Sequence, residues 1–145
     1  MIAKGTMLAL PDFAKPFDLH TDSNDYQLDS ILSQDDTPIA FFSRKLNSVQ
    51  LNNTVTDKEL LGITESLKHF RHILLGNEIK VYTDHKNLTY AGINFNSDRR
   101  LHQRFLIEEY GAELIFVAGN INVVADGMSR LDFETNHEKR SNVTY

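Results

Sequence analysis

Four carboxylates, Asp22, Glu59, Asp84 and Asp126, stand where elements of this sequence begin or end. Asp22 closes the alternating run FDLHTD and Asp84 the similar run IKVYTD, so two apolar strands both lead into Thr-Asp. Glu59 in TDKELLGI and Asp126 in NVVADGMSR fall near helix starts. Acids that converge from strand ends and helix starts form the donor set that holds hard divalent cations against a phosphate. Each acid also has a plainer reading. Asp22 and Asp84 suit turns, Asp126 suits the first turn of a helix dipole, and Thr56-x-x-Glu59 matches a capping box. Glu59, however, precedes Ile63, Leu67 and Phe70 by about one, two and three helical turns. It therefore falls on the apolar face, where an unpaired carboxylate is costly.

The elements that must position these acids follow from periodicity. Pro11 and Pro16 bracket a short extended entry, and Phe17, Leu19 and Thr21 alternate with Asp18, His20 and Asp22 as in a strand. Further strands are expected at Gln27–Gln34 and 38–45, after turns at Ser23-Asn24-Asp25 and Asp35-Asp36. Leu60, Ile63, Leu67, Phe70 and Leu74 recur at helical spacing, which predicts a helix over 56–74 ended by Gly76. A strand over 78–83, a short helix or loop over 84–91, a helix over 98–110, a strand over 112–117 and a helix over 122–131 complete the order. The polar stretch 132–145 is expected to be disordered. An antiparallel trio followed by alternating helices and strands predicts an α/β fold, a mixed sheet covered by helices. Ligands of such sheets bind beyond the carboxyl ends of parallel strands. Asp22 and Asp84 meet there if the first and fourth strands are parallel neighbours.

Length and composition set limits. The 145 residues suit one domain with its own core. Cysteine is absent, which excludes disulfides and thiolate metal sites. With 15 Lys and Arg against 20 Asp and Glu, the net charge of −5 argues against nonspecific nucleic-acid binding through a basic surface. It leaves room for an enzyme that grips phosphates locally. The N-terminal apolar run is too short for a signal peptide, and no stretch reaches the roughly 20 apolar residues of a membrane span. The expectation is an intracellular protein, in a cytoplasmic particle or the nucleus, that is not secreted and has no membrane partner. No Gly-rich phosphate loop or Gly-x-Ser-x-Gly elbow is present. His69-x-x-His72 reads as a solvated helix face. Arg99, Arg100 and Arg104, and separately Arg44 and Lys45, are either surface charge or backbone-phosphate contacts.

The blocks LHTDSNDYQL, PIAFFSRKLN, TDKELLGITESLKHFRHILLG, VYTDHKNL and LIEEYGAELIFVAGNINVVADGMSRL occur in this order. Over about residues 10–131 they resemble the ribonuclease H domain of gypsy-like LTR retrotransposon reverse transcriptases. The resemblance implies an RNase H-like fold over 17–131, a five-stranded mixed sheet with helices on both faces. Residues 1–16 would be the remnant of a connector after the polymerase. It implies hydrolysis of the RNA strand of an RNA–DNA hybrid with two Mg²⁺ ions, Mn²⁺ able to substitute. The polymerase portion of the same polyprotein would be its partner. The family's metal-binding acids fall on Asp22, Glu59, Asp84 and Asp126, with Asp22 shared by both ions, Glu59 and Asp84 on one and Asp126 on the other. Arg44, Lys45, Lys86 and Arg99 are candidate phosphate contacts, and selectivity would come from groove shape and 2′-hydroxyls.

The sequence departs from the family pattern in several places. Gln27 and Asp29 stand where Gly is usual, and a carboxylate at 29 is expected to crowd the sheet. Gly127 and Met128 replace the usual Ala and Leu, and a helix-interior Gly costs about 1 kcal/mol. Asn53 replaces an aromatic and Ala118 a Pro, and no His lies within 119–122. These departures, with the lack of polymerase and integrase portions, predict a fragment or the translated remnant of a decaying element. They also raise the alternative of a degenerate module that folds and binds or tethers without cutting.

Overall fold

A computed structural model describes residues 4–85, 88 and 97–118. Its sheet has six strands in the order β1-β4-β3-β2-β5-β6. They are β1 (Lys4–Met7), β2 (Phe17–Ser23), β3 (Gln27–Gln34), β4 (Thr37–Lys45), β5 (Ile79–Thr83) and β6 (Glu113–Phe116). The expected antiparallel trio is β2-β3-β4, and β5 and β6 join β2 in parallel. The sixth strand, β1, pairs antiparallel with β4 at the sheet edge. Its four residues, KGTM, carry no apolar alternation, so only the open backbone of β4 defines it as a strand.

Local chemistry explains the hairpins. Asn24 Oδ1 accepts from the backbone N–H of Tyr26 and Gln27, both at 2.8 Å, which turns the chain between β2 and β3. Asp35 and Asp36 take φ of 49° and 61°, as a two-residue turn between twisted strands requires. Buried Gln34 ties the loop before β2 to the sheet. Its Nε2 donates to the Asp12 carbonyl at 2.8 Å and its Oε1 accepts from the Asp12 N–H at 2.9 Å.

The long helix differs from expectation at both ends. It runs as α1 (Val55–His69), breaks at Phe70, and resumes as the single turn α2 (Arg71–Leu74). Phe70 leaves helical geometry at φ −95°, ψ 17°, and its buried ring lies edge-on to Phe42 at 6.4 Å. The cap is Thr54, whose Oγ1 accepts from the Asp57 N–H at 3.2 Å. The cap pattern is thus Thr54-x-x-Asp57, two residues before the expected Thr56-x-x-Glu59, and Glu59 has no capping duty.

Leu60, Ile63 and Leu67 of α1 are fully buried against Phe17 and Leu19 of β2 and Leu32 of β3. Helix α3 (Asp98–Tyr110) packs on α1, contributing Ile107 and Tyr110 to the same core. It ends at Gly111, whose φ of 64° favours a residue without Cβ. The helix expected over 122–131, and with it cover for the second face, lies outside the described residues. No described helix is long and apolar enough to cross a membrane.

Candidate metal centre

Three of the four acids converge at the carboxyl end of β2 and β5. The parallel register pairs Asp18 with Lys80 and His20 with Tyr82. Two residues further on, the same register sets Asp22 against Asp84. Glu59 reaches this point from the second turn of α1. Its Oε1 accepts from Ser23 Oγ at 2.6 Å and from the Ser23 N–H at 3.3 Å. The residue after the first strand acid therefore anchors the helix acid.

The electrostatics are those of a site built for positive charge. Glu59 is 1% exposed, and its Oε2 is buried without a hydrogen-bond partner, as is Asp84 Oδ1. Burial, reinforced by Asp22 and Asp84 and opposed by the Ser23 hydrogen bond, pushes the Glu59 carboxyl up to about 7. Asp22 is also raised, first by burial and then by Asp84 and Asp29. Unpartnered carboxylate oxygens that repel one another are stabilised by a shared cation, and all-oxygen donors suit Mg²⁺ or Mn²⁺. The residues present thus fit a divalent ion. Among the described residues one potential metal-holding group emerges, and it comprises Glu59, Asp84 and His85. His85 Nε2 lies 3.5 Å from Glu59 Oε1 and 3.8 Å from Asp84 Oδ1. Sequence reasoning passed over His85 and Ser23. Their signal was adjacency, each directly following an acid that ends a strand.

The other predicted site residues fall elsewhere or outside. Asp126 and Lys86 lie outside the described residues. Arg44 Nη1 donates to Glu65 Oε2 at 2.5 Å and Nη2 to Gln50 Oε1 at 3.2 Å. Lys45, the last residue of β4, is exposed. Arg99, also exposed, approaches Asp57 Oδ2 at 3.5 Å and donates to Asn53 Oδ1 at 3.3 Å. Two of the basic candidates are thus engaged by protein groups. His69 and His72 are both exposed, as expected of a solvated helix face, although the His69 ring also packs on Phe42 at 4.4 Å and burial lowers its pKa. Asp29 does not crowd the sheet. Its Oδ1 accepts from Gln27 Nε2 at 2.6 Å and from Ser43 Oγ at 2.8 Å, so the two unusual residues of β3 satisfy each other.

A mixed sheet of an antiparallel trio and added parallel strands, with acids gathered where β2 and β5 end, defines the RNase H-like class. The chain belongs to the family of RNase H-like domains found in reverse transcriptase, whose model matches residues 12–110. It is 43% identical over 142 residues to the retrovirus-related Pol polyprotein from transposon opus of Drosophila melanogaster. That match covers 94% of this chain and 14% of the polyprotein, so the chain spans about a seventh of this curated relative. Among solved structures it resembles the foamy viral protease-reverse transcriptase in complex with dsDNA, with a TM-score of 0.64 at 17% identity over 77% of this chain and 25% of that one. It also resembles RNase H1 from the halophilic archaeon Halobacterium salinarum NRC-1, with a TM-score of 0.58 at 13% identity over 78% of this chain and 92% of that one. At these identities the structures speak for the fold.

Proposed function

We propose that this chain hydrolyses the RNA strand of RNA–DNA hybrids by a two-metal mechanism, as the RNase H domain of a retrotransposon reverse transcriptase. Asp22, Glu59 and Asp84 would hold the cations, with Asp126 as the fourth acid, and the polymerase portion of the polyprotein would be its partner inside the cell. The observation that carries this reading is the Glu59 carboxylate, buried, repelled by two further acids and left with an unpartnered oxygen. A protein gains nothing structural from such a group, and perturbed acids of this kind cluster at functional sites.

When bound, divalent cations supply a Lewis acid that makes hydroxide available near neutral pH and offsets charge on the phosphate and its leaving oxygen. The chain's own residues do the rest. Asp22 and Asp84 offer oxygens from two adjacent parallel strands, so their spacing is fixed by backbone hydrogen bonds. Ser23 holds Glu59 Oε1 and leaves Oε2 buried without a hydrogen-bond partner. The alternative, a folded module that binds hybrid without cutting, drew on Asp29 and on Gly127, which lies outside the described residues. The hydrogen bonds that Asp29 accepts from Gln27 and Ser43 weaken that argument.

The test is purified protein with end-labelled RNA in a hybrid and Mg²⁺ or Mn²⁺. Cleavage that disappears in Asp84→Asn supports the proposal. Well-folded protein that leaves the hybrid intact at every metal concentration overturns it in favour of the non-cutting module.

A further inference from the structure

We infer that His85 is itself a ligand of the cation held by Glu59 and Asp84, giving a mixed oxygen–nitrogen site that favours imidazole-accepting divalent ions over Mg²⁺. The inference rests on the reading of the acid cluster as a cation centre, and it concerns the chemistry of that centre.

The distances carry it. Hydrogen bonds from a ring nitrogen to a carboxylate oxygen are about 2.7–3.2 Å long. His85 Nε2 is beyond that range from both neighbours, at 3.5 Å from Glu59 Oε1 and 3.8 Å from Asp84 Oδ1. Two ligands of one ion with bonds of about 2.0–2.2 Å lie about 3.0 Å apart at right angles and about 3.5 Å apart at tetrahedral angles. The 3.5 Å to Glu59 Oε1 is the tetrahedral spacing of a co-ligand, and the 3.8 Å to Asp84 Oδ1 is that of a wider ligand angle. One donor atom from each of the three residues falls within 4.8 Å of the others.

Two further observations agree. Asp84 Oδ1, 3.8 Å from the ring nitrogen, is buried with no hydrogen-bond partner, and so is Glu59 Oε2. A histidine whose role was to neutralise these acids would close on one of them. The backbone N–H of His85 instead donates to Thr83 Oγ1 at 3.1 Å, which pins the ring's point of attachment. The side chain is 30% exposed, so an ion has a path to it.

The consequence is a change of preference. Mg²⁺ selects oxygen and gains little from an imidazole, whereas Mn²⁺, Co²⁺ and Zn²⁺ accept nitrogen with rising affinity. Relative to an all-carboxylate centre, this one should discriminate against Mg²⁺.

Pulsed electron paramagnetic resonance on the full chain with Mn²⁺ alone tests this directly. The wild-type complex should show ¹⁴N modulation from a directly bound imidazole, and His85→Ala should lose it. The preference for Mn²⁺ over Mg²⁺, measured by competition, should fall about tenfold in His85→Ala. Incorporating ¹⁵N-histidine should replace the ¹⁴N pattern in the unmutated protein, which keeps the test decisive if the variant folds poorly. Mn²⁺ bound without nitrogen modulation, or modulation that survives in His85→Ala, overturns the role of His85 and leaves the acid centre standing. Absence of saturable Mn²⁺ binding, or binding indifferent to Glu59→Gln, overturns both.

Discussion

Asp57 and Glu59 are neighbouring acids of α1, both buried, and the protein treats their charges in opposite ways. Asp57 is enclosed by partners. Arg100 Nε donates to it at 2.8 Å, Thr54 Oγ1 donates at 2.9 Å, and Arg99 lies 3.5 Å away. The Arg100 hydrogen bond, with Thr54 and the nearby guanidinium charges, holds its carboxyl below the usual range despite burial. Glu59 has Ser23 for one oxygen and other acids around it, and burial drives its carboxyl up to about 7. Two buried acids on one helix thus separate by partnership. Asp57 fastens α1 to α3, whereas Glu59 is kept in an unfavourable state that a cation would relieve.

The sharpest way to break this contrast is to neutralise each acid and measure two properties. Glu59→Gln should reduce hybrid cleavage on the order of a thousandfold, several kcal/mol of charge stabilisation having been removed. Asp57→Asn should leave turnover per folded molecule within about threefold. Equal losses in a hybrid-cleavage assay would erase the distinction.

Stability without metal should move the other way. Between the ordinary glutamate value of 4.5 and about 7, folded Glu59 keeps a proton that the unfolded chain has released. Its contribution to stability is therefore full below 4.5, falls as pH rises through that window, and is flat above it. Glu59→Gln should raise metal-free stability at pH 8 by up to about 3 kcal/mol and change little at pH 4, read from urea midpoints. A destabilised Glu59→Gln at pH 8 would show that the carboxylate is structurally satisfied.

Asp57 carries the opposite sign. Its lowered carboxyl contributes stability that is present above 3.8 and lost as pH falls through the folded value. Asp57→Ala should cost about 2 kcal/mol at pH 7, combining the lost Thr54 hydroxyl hydrogen bond with the lost Arg100 ion pair, and should leave Mn²⁺ affinity unchanged. Calorimetric titration and thermal melts check the two halves separately. The smallest effect belongs to Asp29, which faces Asp22 across β2 and β3. Asp29→Asn can still accept the Gln27 and Ser43 hydrogen bonds while removing a like charge near Asp22. It should weaken cation binding about fivefold, roughly 1 kcal/mol, with the fold unchanged. Unaltered affinity would confine Asp29 to the Gln27–Ser43 network.

Apolar period alone gave the strands β2 to β6, the helices α1 and α3, and the antiparallel trio, because Leu60, Ile63 and Leu67 can be buried only on one face of a helix. It missed β1, whose strand character comes from pairing with β4, and the break at Phe70, which follows from ring packing on Phe42. The same limit applied to the cap. Thr56-x-x-Glu59 is the better box by residue type, yet the helix is capped by Thr54, whose hydroxyl accepts from the Asp57 N–H.

For the site, the sequence by itself determined which acids were available and that two of them end strands, since residue type and alternation are local properties. Tertiary structure decided what those acids experience. Parallel pairing of β2 with β5 brought Asp22 and Asp84 to one end, packing buried Glu59 behind Ser23, and the turn after β5 set His85 between two carboxylate oxygens. Burial and charge repulsion depend on distance in space, so they separate Glu59 from Asp57 although the chain places them almost together.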